Sequence, residues 1–433
     1  MTKAISRRQF LAGSSALALS PGILSARARR GKLRHAAIGC GGMGGNDLGA
    51  IAGHPDIEVV ALCDVDATAL AAASKKYPNA KQYRDYRKMF AEIAGEIDTV
   101  NVGTPDHVHA AASMTAMLKG KHVYCQKPLT HDVWEARKMA EVARAKKVET
   151  QMGIQVHSSS QYRLAVRVIQ DGVIGKVKEV HSWSFKKWGR DGARPAGEDP
   201  VPANLDWDLW LGTAPDRPFK SKIYHPGNWR MWTDFGCGTM GDMSIHILDP
   251  IAGALALTQP KTILSESDAP PPESFSTRNI VKYSFPGTAF TVDPFPLTWY
   301  DGDAIPTGKD WGIEKLPNEG SIFIGEKGNM LLPHVAKPQL LPAETFKDYR
   351  LPDVPGDSHW HQWVRACKGE AKPSANFDYA GPLTEFVLLG VIANRVPGKK
   401  LTWNAPEMKL EGSDEAAKLL RRVYRKGWEV EGL

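Results

Sequence analysis

The chain has 433 residues, and its 55 Lys and Arg against 48 Asp and Glu give a formal net charge of +7. That length is too great for one typical core and suits two domains. The basic balance raises nucleic acid as a partner, but no Lys/Arg stripe or recognition motif supports it and that class is set aside.

The first residues read as a leader. Ser6, Arg7, Arg8, Gln9, Phe10 and Leu11 form a twin-arginine pattern, followed by an apolar run to Leu24 and then Ala26-Arg27-Ala28. A basic region, a short hydrophobic region and an A-x-A site in that order predict a signal peptide over 1–28, cleaved after Ala28. It carries Lys3, Arg7, Arg8 and Arg27 and no acid, so the mature chain would keep a charge of +3. The expected route is the twin-arginine export machinery, and the expected location is periplasmic or secreted. No cysteine precedes Cys40 and no other apolar run is long enough for a bilayer, so no stable membrane anchor is expected. The five cysteines, Cys40, Cys63, Cys125, Cys237 and Cys367, show no C-x-x-C spacing, and no disulfide framework is expected.

From 33 to 156 strand-like and helix-like stretches alternate, which predicts a parallel, doubly wound sheet. Strand 33–38 leads into Gly39, Gly41, Gly42, Met43 and Gly44, a G-x-G-x-x-G loop, then a helix over 46–52 and a strand over 57–64. Such glycines allow a tight turn and close approach to a pyrophosphate, whose charge faces the helix N-terminus. Asp64, 20 residues after Gly44, is placed to accept from ribose hydroxyls and to repel a 2′-phosphate, which favours NAD over NADP. Helices over 66–76, 86–94, 109–119 and 133–146 alternate with strands over 97–102, 122–125 and 148–156. Ligands bind at the carboxyl ends of such strands, which places three loops there: 39–44, 103–109 and 126–129.

The second half differs. A helix over 160–170 and a long strand over 175–188 precede an irregular stretch, 189–235, crowded with Pro, Gly and aromatics. A helix over 241–256, strands including 280–285 and 321–324, helices over 360–368 and 382–394 and a charged helix over 414–426 follow. The fold class expected is α/β: a Rossmann dinucleotide-binding domain over 33–156, then an α+β domain over 157–412 with a large, mostly antiparallel open sheet. A helix and tail over 413–433 close the chain.

The order Gly39-x-Gly41-x-x-Gly44, Thr104-Pro105-Asp106-His107-x-His109, Lys127-Pro128 and Gly241-Asp242-x-x-x-His246-x-x-Asp249 resembles the Gfo/Idh/MocA oxidoreductases, named for glucose–fructose oxidoreductase and inositol dehydrogenase. The resemblance covers nearly all of the mature chain. It implies NAD(P)-dependent oxidation or reduction of a hydroxyl carbon in a sugar or polyol, and homo-oligomers built on the open sheet. It also implies that Lys127, Asp242 and His246 line the nicotinamide as catalytic residues. Asp242 and His246, four apart, share one helix face. His246 suits the proton step near neutral pH, Lys127 stabilises the developing alkoxide, and Asp242 orients one of the two. One departure stands out: Gln126 precedes Lys127 where the family usually has Glu.

Thr104, Pro105, His107, His109, Gln126 and Lys127 complete the expected cofactor contacts, although His109 equally well opens the next helix. Expected substrate contacts are Gln155, His157, His181 and Trp183, where relatives touch substrate, and Tyr224, Trp229, Trp232 and His246. Flat aromatic faces with polar edges suit a sugar. Trp207 and Trp210 read instead as residues that pin their own loop. His225, His334, His359 and His361 lack the acidic partners of a metal site, and no metal is expected. Twin-arginine export moves folded proteins, so the dinucleotide is expected to be loaded beforehand and tightly held.

A second reading is an NAD-dependent glycosidase that oxidises, eliminates, hydrates and reduces. It needs a further base, for which Tyr224, His181 and His157 are candidates. A third, a non-catalytic sugar-binding protein, is opposed by the intact Lys127, Asp242 and His246.

Overall fold

Leu33–Ile38 is largely apolar and forms the central strand, β1, of a six-stranded sheet. Its one buried histidine, His35, is satisfied inside the sheet by Thr99 Oγ1 at 3.0 Å and Asn101 Oδ1 at 2.9 Å. A computed structural model describes residues 31–433 of the chain. The leader expected over 1–28 lies outside the described residues.

In chain order the first domain contains β1, α1 (Gly42–Ala52), β2 (Ile57–Cys63), α2 (Ala67–Lys76), β3 (Lys81–Tyr83), α3 (Tyr86–Ile93), β4 (Thr99–Val102), α4 (Asp106–Leu118), β5 (His122–Gln126), α5 (Val133–Lys146) and β6 (Thr150–Gly153). All pairings are parallel, in the order β3-β2-β1-β4-β5-β6. Helix starts follow the polar residues before them. Asp66 and Asp85 accept from the backbone N–H groups of Thr68 and Arg87, and Asp132 forms a capping box with Glu135. The first helix begins at Gly42 rather than at 46, so three residues of the glycine loop already form its first turn.

The second domain contains α6 (Ser160–Gln170), β7 (Val177–Ser184), α7 (Trp207–Leu211), α8 (Gly238–Ile247), α9 (Asp249–Leu255), β8 (Thr262–Ser265), β9 (Arg278–Phe285), β10 (Phe295–Gly302), β11 (Glu319–Gly325), β12 (Asn329–Pro333), β13 (Gln339–Leu341), α10 (His359–Cys367), α11 (Phe377–Ala393), β14 (Lys400–Asn404), β15 (Lys409–Glu411) and α12 (Asp414–Lys418). Its nine strands run in the order β13-β12-β11-β7-β10-β9-β8-β14-β15, and only the β7–β10 pair is parallel. Alternation along β9 buries Asn279, Val281, Tyr283 and Phe285. Val281, Tyr283 and Phe285 join the helices in one core that runs on into the first domain. On the opposite sheet face Trp183, Ile322 and Leu331 form a smaller cluster with Trp311 and Ile313.

Other boundaries also differ from expectation: the helix expected over 109–119 starts at Asp106, and the strands expected over 148–156 and 175–188 shorten to Thr150–Gly153 and Val177–Ser184. The helix expected over 241–256 is two, because Pro250 begins a new helix at Asp249. Pro382 lies inside α11, which starts at Phe377 under an Asn376 cap. The last helix stops at Lys418, and the tail returns to the Rossmann domain. Trp134 N–H donates to Leu420 O at 3.0 Å, and half-buried Arg422 bridges Asp132 and Glu135 at 3.1 Å each. Residues 413–433 are therefore a strap rather than a separate unit. Among the described residues no helix is long and apolar enough to cross a membrane, and all five cysteines are buried free thiols.

Candidate active site

A cleft of about 400 Å³ opens at the carboxyl ends of β1, β2, β4 and β5, where the strand order reverses. Gly39, Gly41, Gly42, Met43, Asp64, Thr104, Pro105, His109, Gln126 and Lys127 line it. Gly44 and His107 do not.

The glycines divide the work. Gly39 has φ +85°, and a Cβ there would stand 2.6 Å from Gly103 O. A Cβ on Gly44 would lie 2.4 Å from Gly39 O and 2.8 Å from Gly103 O, so Gly44 is needed where two loops meet beneath the cleft. Gly42, at φ +50°, has nothing within 4 Å of such a Cβ and faces open space. No side chain caps α1, which leaves its first N–H groups free for an anion. Asp64 closes the β2 end. Its two oxygens accept from Cys40 N–H at 2.7 Å and Asp66 N–H at 2.8 Å, which leaves a lone pair on each for ribose hydroxyls. Thr104 Oγ1 is buried without a partner. The cradle, the free helix end and the acid fit a dinucleotide.

The second domain roofs this cleft. Asn204 Nδ2 donates to Asp66 at 2.7 Å, His225 Nε2 meets the other Asp66 oxygen at 3.0 Å, and Asp206 N–H donates to Val65 O at 3.0 Å. Leu209, Trp210, Trp229 and Arg230 form further wall. The tail adds Trp428, held by Arg87 stacked at 3.8 Å.

At the other end Lys127, leaving β5, reaches α8. Its Nζ donates to Asp242 Oδ1 at 2.8 Å and to Asp242 O at 3.0 Å. Arg230 Nε donates to the same Oδ1 at 3.0 Å. Burial pushes the Asp242 carboxyl up, but Lys127 and Arg230 outweigh it and hold it well below the usual carboxylate range. His246 lies one turn on, its Nδ1 buried and unpartnered. Burial, then Lys127 and His334, push it well below the usual histidine value. It therefore stands as a neutral imidazole, the form that accepts a proton, and its protonated form is costly there. That tempers the near-neutral proton step read from sequence.

The other expected contacts divide between the cleft and the surrounding packing. His107 is buried between Trp210 and Phe235 with Nε2 at 3.1 Å from Trp210 O, so its side chain packs the roof. His109 ties two loops together, with ring nitrogens 2.8 Å from Pro128 O and from Thr104 O. Tyr224 and Trp232 belong to the aromatic core of the 189–235 stretch, where Trp232 Nε1 donates to Ile223 O at 2.8 Å and the Tyr224 hydroxyl meets Arg194. They pin the loop, as Trp207 and Trp210 do. Trp229 does line the cleft, with Arg230 stacked on it at 4.3 Å. His181 and Trp183 project to the far face of the nine-stranded sheet, because an irregularity between Ile324 and Gly325 sets which face β7 residues take. His181 meets Tyr300 Oη at 3.1 Å, and Trp183 Nε1 donates to Pro317 O at 2.7 Å. His157 is paired with Asp249 at 2.9 Å, and Gln155 Nε2 lies 3.5 Å from Asp47 Oδ1. Neither lines the dinucleotide cleft. Among the described residues no three His, Cys, Asp or Glu side chains group as a metal site.

Sequence reasoning missed Asp47, Asp106, Arg230 and His334. Asp47 answers the Gln126 departure. Gln126 Nε2 donates to Asp47 Oδ2 at 2.8 Å and Trp360 Nε1 to Oδ1 at 2.8 Å. Burial pushes that carboxyl up to about 6. A glutamate at 126 would face Asp47 as a second acid, whereas the Gln126 amide donates to it.

Asp106 is buried on the cleft wall with both oxygens unpartnered. Burial, then the charge of Asp242, push it up to about 7. Only its place after Thr104-Pro105 hinted at this. The folded protein binds more protons than the unfolded chain between the ordinary carboxylate value and about 7, so Asp106 lowers stability as pH rises through that window. Asp106→Asn should therefore raise the unfolding free energy at pH 8 relative to that at pH 5 by on the order of 3 kcal/mol, read from urea unfolding at both pH values. An unchanged difference between the two would contradict the assignment.

Fold and site together define a two-domain, NAD-binding protein of the oxidoreductase class. Residues 33–154 match an oxidoreductase family described by its NAD-binding Rossmann fold, and residues 164–288 match the C-terminal alpha/beta domain of the same family. The two matches span more than half of the chain, which belongs to the Gfo/Idh/MocA oxidoreductase family. A levoglucosan dehydrogenase of Pseudarthrobacter phenanthrenivorans is 23% identical over 188 residues, 43% of this chain and 40% of that protein. A glycosyl hydrolase family 109 protein of Streptomyces niveus is 33% identical over 124 residues, 27% of this chain and 25% of that protein. The matches therefore cover well under two thirds of either relative. The WlbA dehydrogenase from Bordetella pertussis, solved with NADH and UDP-GlcNAcA, shares the fold with a TM-score of 0.62 and 16% identity, over 86% of this chain and 99% of that one.

Proposed function

We propose that the protein is an NAD-dependent oxidoreductase that acts on a hydroxyl carbon of a sugar, glycoside or polyol. The observation that carries this is the Lys127–Asp242 contact at 2.8 Å, where the Rossmann strand end meets the catalytic helix beside His246. NAD supplies the hydride acceptor. The Lys127 ammonium, fixed by the Asp242 carboxylate, stabilises the alkoxide that forms as the hydroxyl loses its proton to neutral His246. Trp229 lines the cleft beneath the stacked Arg230, which holds Asp242 from the other side.

The dinucleotide is read as resident, loaded before twin-arginine export to the periplasm or beyond. The roof over the cleft and the Trp428 strap support its retention. Trp428→Ala should speed loss of bound dinucleotide by on the order of tenfold or more, measured as cofactor left after timed dialysis. Retention equal to the parent protein would contradict the strap's role. Subunits are proposed to associate through the open face of the nine-stranded sheet.

The second reading, an NAD-dependent glycosidase, is favoured by the match to the glycosyl hydrolase family 109 protein. One assay separates the two. The protein with its native cofactor is given glycosides alone, then glycosides with a carbonyl acceptor. Aglycone released without acceptor supports the glycosidase, and oxidised sugar formed only with acceptor supports the oxidoreductase. Neither product across a broad panel would defeat both.

A further inference from the structure

The base that an elimination needs is not among the residues picked from sequence. Tyr224 and His181 lie outside the site, and His157 is held by Asp249. A different histidine stands beside the catalytic helix. His334, at the end of the β12–β13 hairpin, has its ring centroid 5.9 Å from that of His246. Its Nδ1 lies 2.6 Å from Tyr162 Oη, and its Nε2 has no hydrogen-bond partner among the described residues.

Two further features hold this histidine in place. His334 N–H donates to Glu319 O at 2.9 Å, which extends the β11–β12 pairing by one residue. The next residue, Val335, has φ +55°, a region that a β-branched side chain adopts only under strain, and it is 57% exposed. Nothing in its own packing repays that strain. Strain of this kind persists where the surroundings over-determine a local geometry, and here the turn carries His334 to the site.

We propose that His334, oriented by Tyr162, is the base that removes a proton from the carbon beside the oxidised carbon of a glycoside, which gives the site an elimination activity. This rests on the second reading above. In the productive tautomer Nδ1–H donates to Tyr162 Oη, and Nε2 keeps its lone pair for the substrate. With a ketone on the sugar ring, the neighbouring C–H proton passes to Nε2. Its electron pair forms the C=C bond as the glycosidic C–O bond breaks, and the departing oxygen takes a proton back from the imidazolium. Water then adds to the double bond, and the hydride first removed returns to the ketone. The sum is hydrolysis, with no outside oxidant.

The groups facing His334 are Tyr162 from α6, His246 from α8, Glu319 from β11, Lys186 just beyond β7, and Lys127. Burial pushes His334 down, with Glu319 opposing and the two lysines assisting. A base of this kind works above its pKa, so its activity persists to more acid pH than an ordinary histidine allows.

The test supplies the ketone ready-made, so that no redox step is required. A glycoside already carrying a ring ketone is incubated with the protein in D2O. Deuterium entry at the adjacent carbon is read by NMR and aglycone release by chromatography. The parent protein should accelerate both above buffer, and His334→Gln should reduce the acceleration by about 100-fold or more. Tyr162→Phe, which keeps the histidine, should slow exchange and move its acid limb to lower pH. Exchange by His334→Gln at the parental rate, or no acceleration by the parent protein, would overturn the proposal. Should exchange occur while no unoxidised glycoside changes the absorbance of the bound dinucleotide, the base stands and both hydride-transfer readings, oxidoreductase and glycosidase, fail.

Discussion

Lys127→Met is expected to cut the rate of substrate oxidation by about a thousandfold while leaving the dinucleotide bound. The side chain is only 12% exposed, and two of its ammonium protons are committed to Asp242 Oδ1 and O. The third is left for a substrate oxygen. Removing one oriented donor from a developing oxyanion typically costs two to three powers of ten, on the order of 3–4 kcal/mol. Methionine retains the bulk and apolar stem, so the loss reads the charge rather than a cavity. Single-turnover reduction of the bound cofactor, followed by absorbance, is the measurement. A rate within a few fold of the parent would remove Lys127 from the chemistry.

Gly44→Ala is expected to yield protein without dinucleotide. The added Cβ meets two backbone oxygens, of Gly39 and Gly103, at 2.4 and 2.8 Å, and neither can swing aside as a side-chain tip can. The loop must then part from β4, which displaces the free N–H groups of α1. Overpacking against side chains costs roughly 1–3 kcal/mol, and backbone contacts at these distances place this variant at or above the upper end. Cofactor content after purification and the thermal midpoint together check it. A full complement of dinucleotide would contradict the cradle as described. Gly42→Ala meets no neighbour within 4 Å and is a fit comparison, since its penalty comes from the positive φ alone.

How much of this was readable beforehand follows from what each residue's neighbours are. The glycine loop, β2 and Asp64 lie within 32 residues and obey local rules, so strand period, glycine spacing and acid placement sufficed. Lys127 and Asp242 are 115 residues apart, and only a family resemblance paired them. The aromatics of 189–235 show the limit. That stretch has little regular structure, so no period says which ring faces the cleft, and Trp229 and Trp232 point to different surroundings. His181 and Trp183 fail for a related reason. One irregularity in pairing decides which sheet face they take, and a one-residue slip reverses the answer. Asp106, Asp47 and Arg230 gained their environments from packing between distant segments. In sequence His334 reads only as a metal ligand, because nothing local marks the turn that brings it beside His246: Val335, which the structure holds at φ +55°, is a β-branched residue that gives no turn signal.

In the proposed reaction a sugar or polyol hydroxyl delivers hydride to a nicotinamide that stays in the protein. The most direct measurement takes the full chain, purified after export without added cofactor, quantifies its dinucleotide, and mixes it with a panel of glycosides, sugars and polyols while following nicotinamide absorbance. The expected result is near-stoichiometric bound NAD and, with at least one compound, a burst of reduced cofactor no larger than that bound amount, absent in Lys127→Met. Protein that emerges empty, or a loaded protein whose absorbance no compound in the panel changes, would contradict it.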